Sequence, residues 1–164
     1  MAKSEAPFDL KASVLSAFAI NDRINRYLIE NIAEEAWTAK PPEGKGRTIA
    51  AIAAHIHNVR LMWLKAVGAA TLPAKVDDSA TPKQMLKAFR ESQDALSVVL
   101  AKALEGGQVK GFKPDVMAFY AYLISHDSHH RGQISSLARR LDFPLSQKAM
   151  FGMWEWGSRA KEQD

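Results

Sequence analysis

Four long stretches of this chain repeat apolar side chains every three or four positions, and that spacing limits the fold to helices. No segment shows the strict alternation that is typical of a strand. Breaks rich in Gly and Pro separate the stretches. We predict helices over about 9–35, 49–67, 82–104 and 114–141. The sequence therefore predicts an all-α protein, a four-helix bundle with a short C-terminal segment.

The connection between the second and third predicted helices is unusually long. It covers residues 68–80, and extended backbone of that length can reach roughly 40 Å. The second helix, at about 1.5 Å per residue, is just under 30 Å long. The connection can therefore run the full length of the bundle, which allows the second and third helices to be parallel.

Length and composition favour a single domain. At 164 residues the chain can bury a sizeable core. We expect the bundle over about 8–145 and an aromatic tail over 146–164. The chain has no Cys, which excludes disulfides, thiolate metal ligands and a cysteine nucleophile.

Charge and hydropathy narrow the choice of partners. The net charge of +4 is modest, and no run of Lys or Arg exceeds two residues, so charge does not point to nucleic acid. The N-terminal residues lack the shape of a signal peptide, and the apolar runs are too short to cross a bilayer. We expect a soluble cytoplasmic protein with neither nucleic acid nor a membrane as partner.

Three of the five histidines lie in one segment, 126–133, which reads His-Asp-Ser-His-His-Arg-Gly-Gln. His126 and His130 are four residues apart, so on a helix they lie one above the other on the core face. His129 points to one side. Two neutral imidazoles so placed can hold one metal ion if a third ligand comes from another segment.

The second predicted helix offers that third ligand. His55 lies within its apolar stripe, whereas His57 is about 200° further around the helix, so both cannot point inward. We predict that His55 faces the interior and that His57 lies on the outer face. The inward histidines then form either a metal site or a layer of hydrogen-bonded core imidazoles.

Three polar residues beside these histidines have alternative roles. Asp127 is a weak candidate for a general base, because it points about 100° away from His126 on the helix. Arg131 and Gln133 can orient a ligand, or they can be solvated or packing residues.

Two further features concern packing near this segment. Asn21 and Asn25 flank the apolar stripe of the first helix, where they either make interhelical hydrogen bonds or face a polar cavity. Gly132 in mid-helix costs about 1 kcal/mol relative to Ala, so we expect a neighbour to pack closely against it.

The histidine segment resembles the HxxxHRGQ signature of the DinB-like, or YfiT-like, family of bacterial four-helix bundles. The run Ala54-His55-Ile56 is similar to the family's earlier motif of a small residue, His and Ile. Asn25 followed by Leu28 resembles its first-helix pattern. The resemblance covers roughly residues 8–145, and it implies an up-down-down-up bundle.

The resemblance also implies a divalent metal ion held by three histidines, which correspond here to His55, His126 and His130. The ion is commonly nickel or zinc, with iron and manganese as alternatives. The motif implies no role for His57 or His129. The family includes transferases and isomerases that use a low-molecular-weight thiol, namely bacillithiol, mycothiol or glutathione.

Three function classes remain open at this point. The first is a metal-dependent enzyme, a transferase or hydrolase, acting on a small molecule. The second is a metal-binding or stress-response protein without turnover. The third is an interaction protein whose histidine layer is only structural.

The C-terminal tail bears on oligomeric state. Phe151, Trp154 and Trp156 make a large apolar area for a chain end. We predict a homodimer through this tail. The alternative is that the tail folds back over its own bundle.

Overall fold

The computed structural model describes residues 7–162, and within them it contains helices and no strand. Four helices are long: α1 (Leu10–Glu30), α3 (Ile49–Val67), α4 (Pro82–Gly106) and α5 (Val116–Arg140). Three are short: α2 (Glu34–Trp37), α6 (Gln147–Gly152) and α7 (Trp156–Arg159). The all-α prediction is confirmed, and the four predicted helices correspond to the four long ones.

Side chains cap most of these helices, which explains why the predicted starts are accurate. The side chain of each capping residue accepts a hydrogen bond from the backbone N–H of the residue three positions later. The capping residues are Asp9, Thr48, Thr81, Asp115 and Ser146. At α4 the Gln84 side chain also accepts from the backbone N–H of Thr81, which completes a capping box.

The first helix is shorter than the sequence predicts. It ends at Glu30, and Asn31 leaves the helical conformation with φ of −106° and ψ of 4°. The break lets the chain turn and form α2, which buries Trp37. The indole Nε1 of Trp37 donates to the carbonyl of Ala80, 2.8 Å away, at the end of the long connection. A contact between distant segments therefore holds α2 in place after the end of α1.

The helices α3 and α4 are parallel. Ile52 near the start of α3 packs in one hydrophobic cluster with Met85 near the start of α4. Leu64 near the end of α3 packs in a second cluster with Leu100 towards the end of α4. The connection 68–81 therefore returns along the length of the bundle, as its length allows.

The helices α1 and α5 are parallel to each other and run opposite to α3. Phe18 and Phe119 share one cluster, and Leu28 and Ile134 share the other. The end of α1 thus packs beside the start of α3, since Leu28 and Ile52 lie in the same cluster. The four long helices therefore follow the up-down-down-up order.

The tail folds back over α1. Arg159 places its guanidinium 4.2 Å from the ring centre of Tyr27, and Nη1 of Arg23 donates to the Arg159 carbonyl at 3.1 Å. Phe151 and Trp154 nevertheless remain 62% and 77% exposed. The tail is thus fastened to its own bundle while two of its aromatic rings face solvent.

Gly132 and Gly152 differ in what surrounds them. The expectation of close packing at Gly132 is wrong, because a Cβ there meets nothing within 4 Å. A Cβ at Gly152 would instead overlap Oη and the ring of Tyr27 on α1. The close approach therefore lies in the tail and not at the histidine segment.

Alanine at the two glycines is expected to have opposite effects on stability. Gly152→Ala should lower the free energy of unfolding by about 1–3 kcal/mol through overpacking. Gly132→Ala should raise it by up to about 1 kcal/mol, because Ala is the better helix former and finds open space. Urea unfolding of both variants measures the difference. Equal stability of the two would contradict the packing of the tail on α1.

Among the described residues 7–162, no helix is long and apolar enough to cross a membrane.

Candidate metal centre

His55 on α3 and two histidines on α5, His126 and His130, converge. Each offers a ring nitrogen, and the three nitrogens lie within 4.8 Å of one another. The ring centres of His126 and His130 are 4.5 Å apart, and His55 lies 5.4 and 4.7 Å from them. Zinc is bound by imidazole nitrogen at about 2.0–2.1 Å, and three nitrogens this close together could hold one ion.

The structure places His57 and His129 outside this group. His57 is fully buried, and its Nε2 lies 2.9 Å from the carbonyl of Ala74, to which it can donate. The prediction that His57 lies on the outer face is therefore wrong, because the long connection packs over that side of α3. His129 is exposed on α5 beside the group.

Burial and neighbouring positive charge keep two of the converging imidazoles, His55 and His130, neutral. Partial burial, helped by Arg47 and the two other histidines, lowers the pKa of His55 to about 4. Burial also lowers the pKa of His130, against the opposing effect of its hydrogen bond with Gln133. At neutral pH both rings therefore keep a lone pair for a cation.

Gln133 orients the His130 ring. Its Oε1 lies 2.8 Å from Nδ1 of His130, and its Nε2 lies 3.0 Å from Nε2 of His129. Because an amide oxygen only accepts, His130 carries its proton on Nδ1 and presents Nε2 as the free nitrogen. Of the two roles considered for Gln133, the structure favours an orienting one, since its side chain contacts His130.

Asp127 is buried on the other side of His126 and is unsuited to act as a base. Its Oδ2 accepts hydrogen bonds of 2.8 Å from Arg60, Asn21 and Asn25. Burial raises the pKa of Asp127, but the Arg60 guanidinium and the hydrogen bonds outweigh it, so the pKa lies well below its usual value. The carboxylate is fully engaged in holding α1, α3 and α5 together.

Arg60 lies at the centre of a buried ionic network that sequence reasoning missed. This side chain on α3 is 1% exposed and donates to Asp22 at 2.6 Å and to Asp127 at 2.8 Å. Asp22 also accepts from Nε of Arg26 at 2.9 Å. One signal was available, since Arg60 lies one helical turn after the buried Ile56, in the apolar face of α3.

A profile of the DinB family matches residues 6–142. The chain belongs to the DinB family. Among curated proteins, none matches the chain.

Two neighbouring residues of the DinB-like signature, His130 and Arg131, have distinct structural roles in this chain. His130 joins the histidine group. Arg131 donates through Nη1 to Oδ1 of Asn21 and Asn25, and through Nη2 to Oγ of Ser128 at 2.7 Å. Asn21 and Asn25 therefore make the interhelical hydrogen bonds that were one of their two predicted roles. In this DinB protein Arg131, which follows His130, fastens α5 to α1.

A cavity of about 770 Å³ lies beside the histidine group. The loop before α3 forms one wall and the exposed side of α5 forms the other. Gln133 and His129 line it and connect it to His130, while Ile52 and Leu137 supply apolar surface. A volume of this size suits a small molecule.

Proposed function

We propose that this DinB-family protein holds one divalent ion between His55, His126 and His130 and acts enzymatically on a small molecule. The reaction is the transfer of a low-molecular-weight thiol or a hydrolysis. The observation that carries the proposal is the convergence of three imidazoles from two helices beside a cavity. Three protein ligands leave coordination positions free, whereas a closed structural site would not.

The ion and the residues of the chain would contribute different parts of the chemistry. A divalent ion so held lowers the pKa of a bound thiol or water and thereby supplies a nucleophile near neutral pH. Gln133 keeps the His130 ring in the tautomer that can bind a cation. Asp127 accepts from Arg60 and so fastens α5 to α3, which maintains the distance between His55 and the two histidines on α5. Since the chain has no Cys, a thiolate must come from a diffusible thiol.

We propose nickel or zinc as the ion, with iron or manganese as alternatives. Imidazole suits zinc, nickel and iron, whereas manganese prefers oxygen ligands. The three histidines leave the full charge of the ion uncompensated, which favours Lewis-acid chemistry. Metal analysis of untagged protein, purified without a His tag, tests which ion is bound.

Activity is tested by comparing the metal-loaded protein with its His130→Ala variant. Each is assayed with glutathione and other small thiols against electrophilic carbon compounds, and with ester, amide and lactone substrates. We expect the wild type and a Lys83→Gln control, which changes an exposed residue outside the cavity, to turn over at least one substrate. The His130→Ala rate should fall to background. Equal rates for His130→Ala and wild type across all substrates would favour a metal-binding or stress-response protein without turnover.

We also propose that two copies associate through the exposed aromatic side chains of the tail, Phe151 and Trp154. Truncating the tail would also remove its packing on α1, where Gly152 is buried. Sedimentation of the full-length protein and of a Phe151→Ser/Trp154→Ser variant is therefore the cleaner test. We expect a dimer for the first and a monomer for the second, and a monomeric full-length protein would contradict the proposal.

A further inference from the structure

We propose that the cavity beside the histidines binds an anionic group, a carboxylate or a phosphate, on the small molecule that reacts at the metal centre. The inference rests on the proposed function and names the substrate class of the same site. Its basis is the set of charges that the fold assembles on the cavity wall.

Positive charge predominates on that wall. The loop before α3 contributes Lys45 and Arg47, and α5 contributes Arg140. The acidic lining residue is Glu43, and its Oε2 accepts from Nη2 of Arg140 at 2.9 Å. Arg140 is thereby neutralised, whereas Lys45 and Arg47 have no carboxylate partner among the described residues. An anion entering the cavity meets two uncompensated cations.

The ion pair between Glu43 and Arg140 also holds the loop in position. Because Glu43 lies on the loop and Arg140 on α5, their ion pair joins the two walls of the cavity. Pro41, at the start of the loop, is buried. The loop is therefore held against the bundle at both places, and Lys45 and Arg47 follow in the segment that enters α3.

Arg47 lies close to the histidine group. Arg47 acts electrostatically on His55 and His130, since it is among the causes that lower the pKa of each ring. Gln133 lines the cavity and contacts His130. An anionic group bound near Arg47 would therefore lie close to His55 and His130, two of the residues proposed to hold the ion.

The chemistry of the wall suits an anion with a carbon skeleton. A guanidinium binds carboxylate or phosphate through two parallel hydrogen bonds, and a concave site concentrates the field of its cations. Ser136 adds a hydroxyl donor to the same wall. Ile52 and Leu137 can contact the apolar part of the ligand.

Two thiols that differ in charge test the proposal on cobalt-loaded protein. Mercaptosuccinate carries two carboxylates, whereas monothioglycerol carries none. Thiolate binding is followed by the charge-transfer absorption of the metal. We expect mercaptosuccinate to bind at least about fivefold more tightly, as two solvated ion pairs allow.

The matched variants separate the cavity from overall charge. Arg47→Gln/Lys45→Gln should bring the two thiols to about equal affinity without lowering the metal content. Lys65→Gln/Lys83→Gln removes the same charge from exposed helix positions outside the cavity and should keep the preference. Equal affinities in the wild type, or a preference that survives in the Arg47/Lys45 variant, would overturn the proposal.

A metal-free measurement keeps this inference separate from the proposed function. Calorimetric titration of the metal-free protein with succinate and with inorganic phosphate should show binding that Arg47→Gln/Lys45→Gln removes. The anion that binds more tightly identifies the group as carboxylate or phosphate. If no metal is bound but the anions are, the proposed function fails and the anion site stands. If metal is bound but neither anion nor charged thiol is preferred, only the anion site fails.

Discussion

Alanine at His55, His126 or His130 is expected to empty the metal site, each substitution by itself. The metal content of purified protein should fall from about one ion per chain to near none, because two imidazoles do not hold a divalent ion as three do. Plasma mass spectrometry after gel filtration measures the content. Without metal, thermal unfolding of the His55→Ala protein should resemble that of the wild type, because this side chain is only partly buried.

Two other histidines serve as matched controls for this experiment. His129→Ala should keep the metal, since His129 is exposed and stands outside the group. His57→Gln should keep it as well, and glutamine retains a donor for the buried carbonyl of Ala74. A site emptied by His57→Gln and retained by His55→Ala would refute the assignment of ligands.

Replacement of Arg60 by Met is expected to lower the free energy of unfolding by about 3–5 kcal/mol, because it leaves the buried carboxylate of Asp127 without this cation and that of Asp22 with Arg26 alone. Asp22 and Asp127 are both almost fully buried, and Arg60 bonds to both. Urea unfolding at neutral pH measures the loss. Lys87→Met, which breaks the exposed pair of Lys87 with Glu91, should cost no more than about 0.5 kcal/mol.

Two further observations identify the cause of that loss. Adding Asp22→Asn and Asp127→Asn to Arg60→Met should recover part of the stability, because the unpaired charges are then gone. The pKa of Asp127 is depressed in the folded protein, so its ion pair stabilises above the ordinary Asp pKa of about 3.9 and is lost as the pH falls below it. The cost of Arg60→Met should therefore shrink in acid. A cost that is independent of pH and of the Asn substitutions would point to lost packing instead.

Interactions between residues close together in the sequence explain which parts of the structure were predictable. Helix α3 runs from Ile49 to Val67 as predicted, because Thr48 caps it and Gly68, with φ of 73°, ends it. The length of the connection between them allows the parallel arrangement of α3 and α4. The grouping of His55 with His126 and His130 follows from helical spacing, since all three occupy the inward face of their helices.

Other features depend on which surfaces meet, and no local pattern contains that information. His57 is buried because residues 68–81 cross its face of α3, and Arg60 is neutralised by acids that lie 38 and 67 residues away in the chain. Spacing identifies a face of a helix but not the segment that covers it. Apolar periodicity and capping therefore determine the helices and the histidine group, whereas the burial of His57, the ionic network and the charged cavity arise only when distant segments pack together.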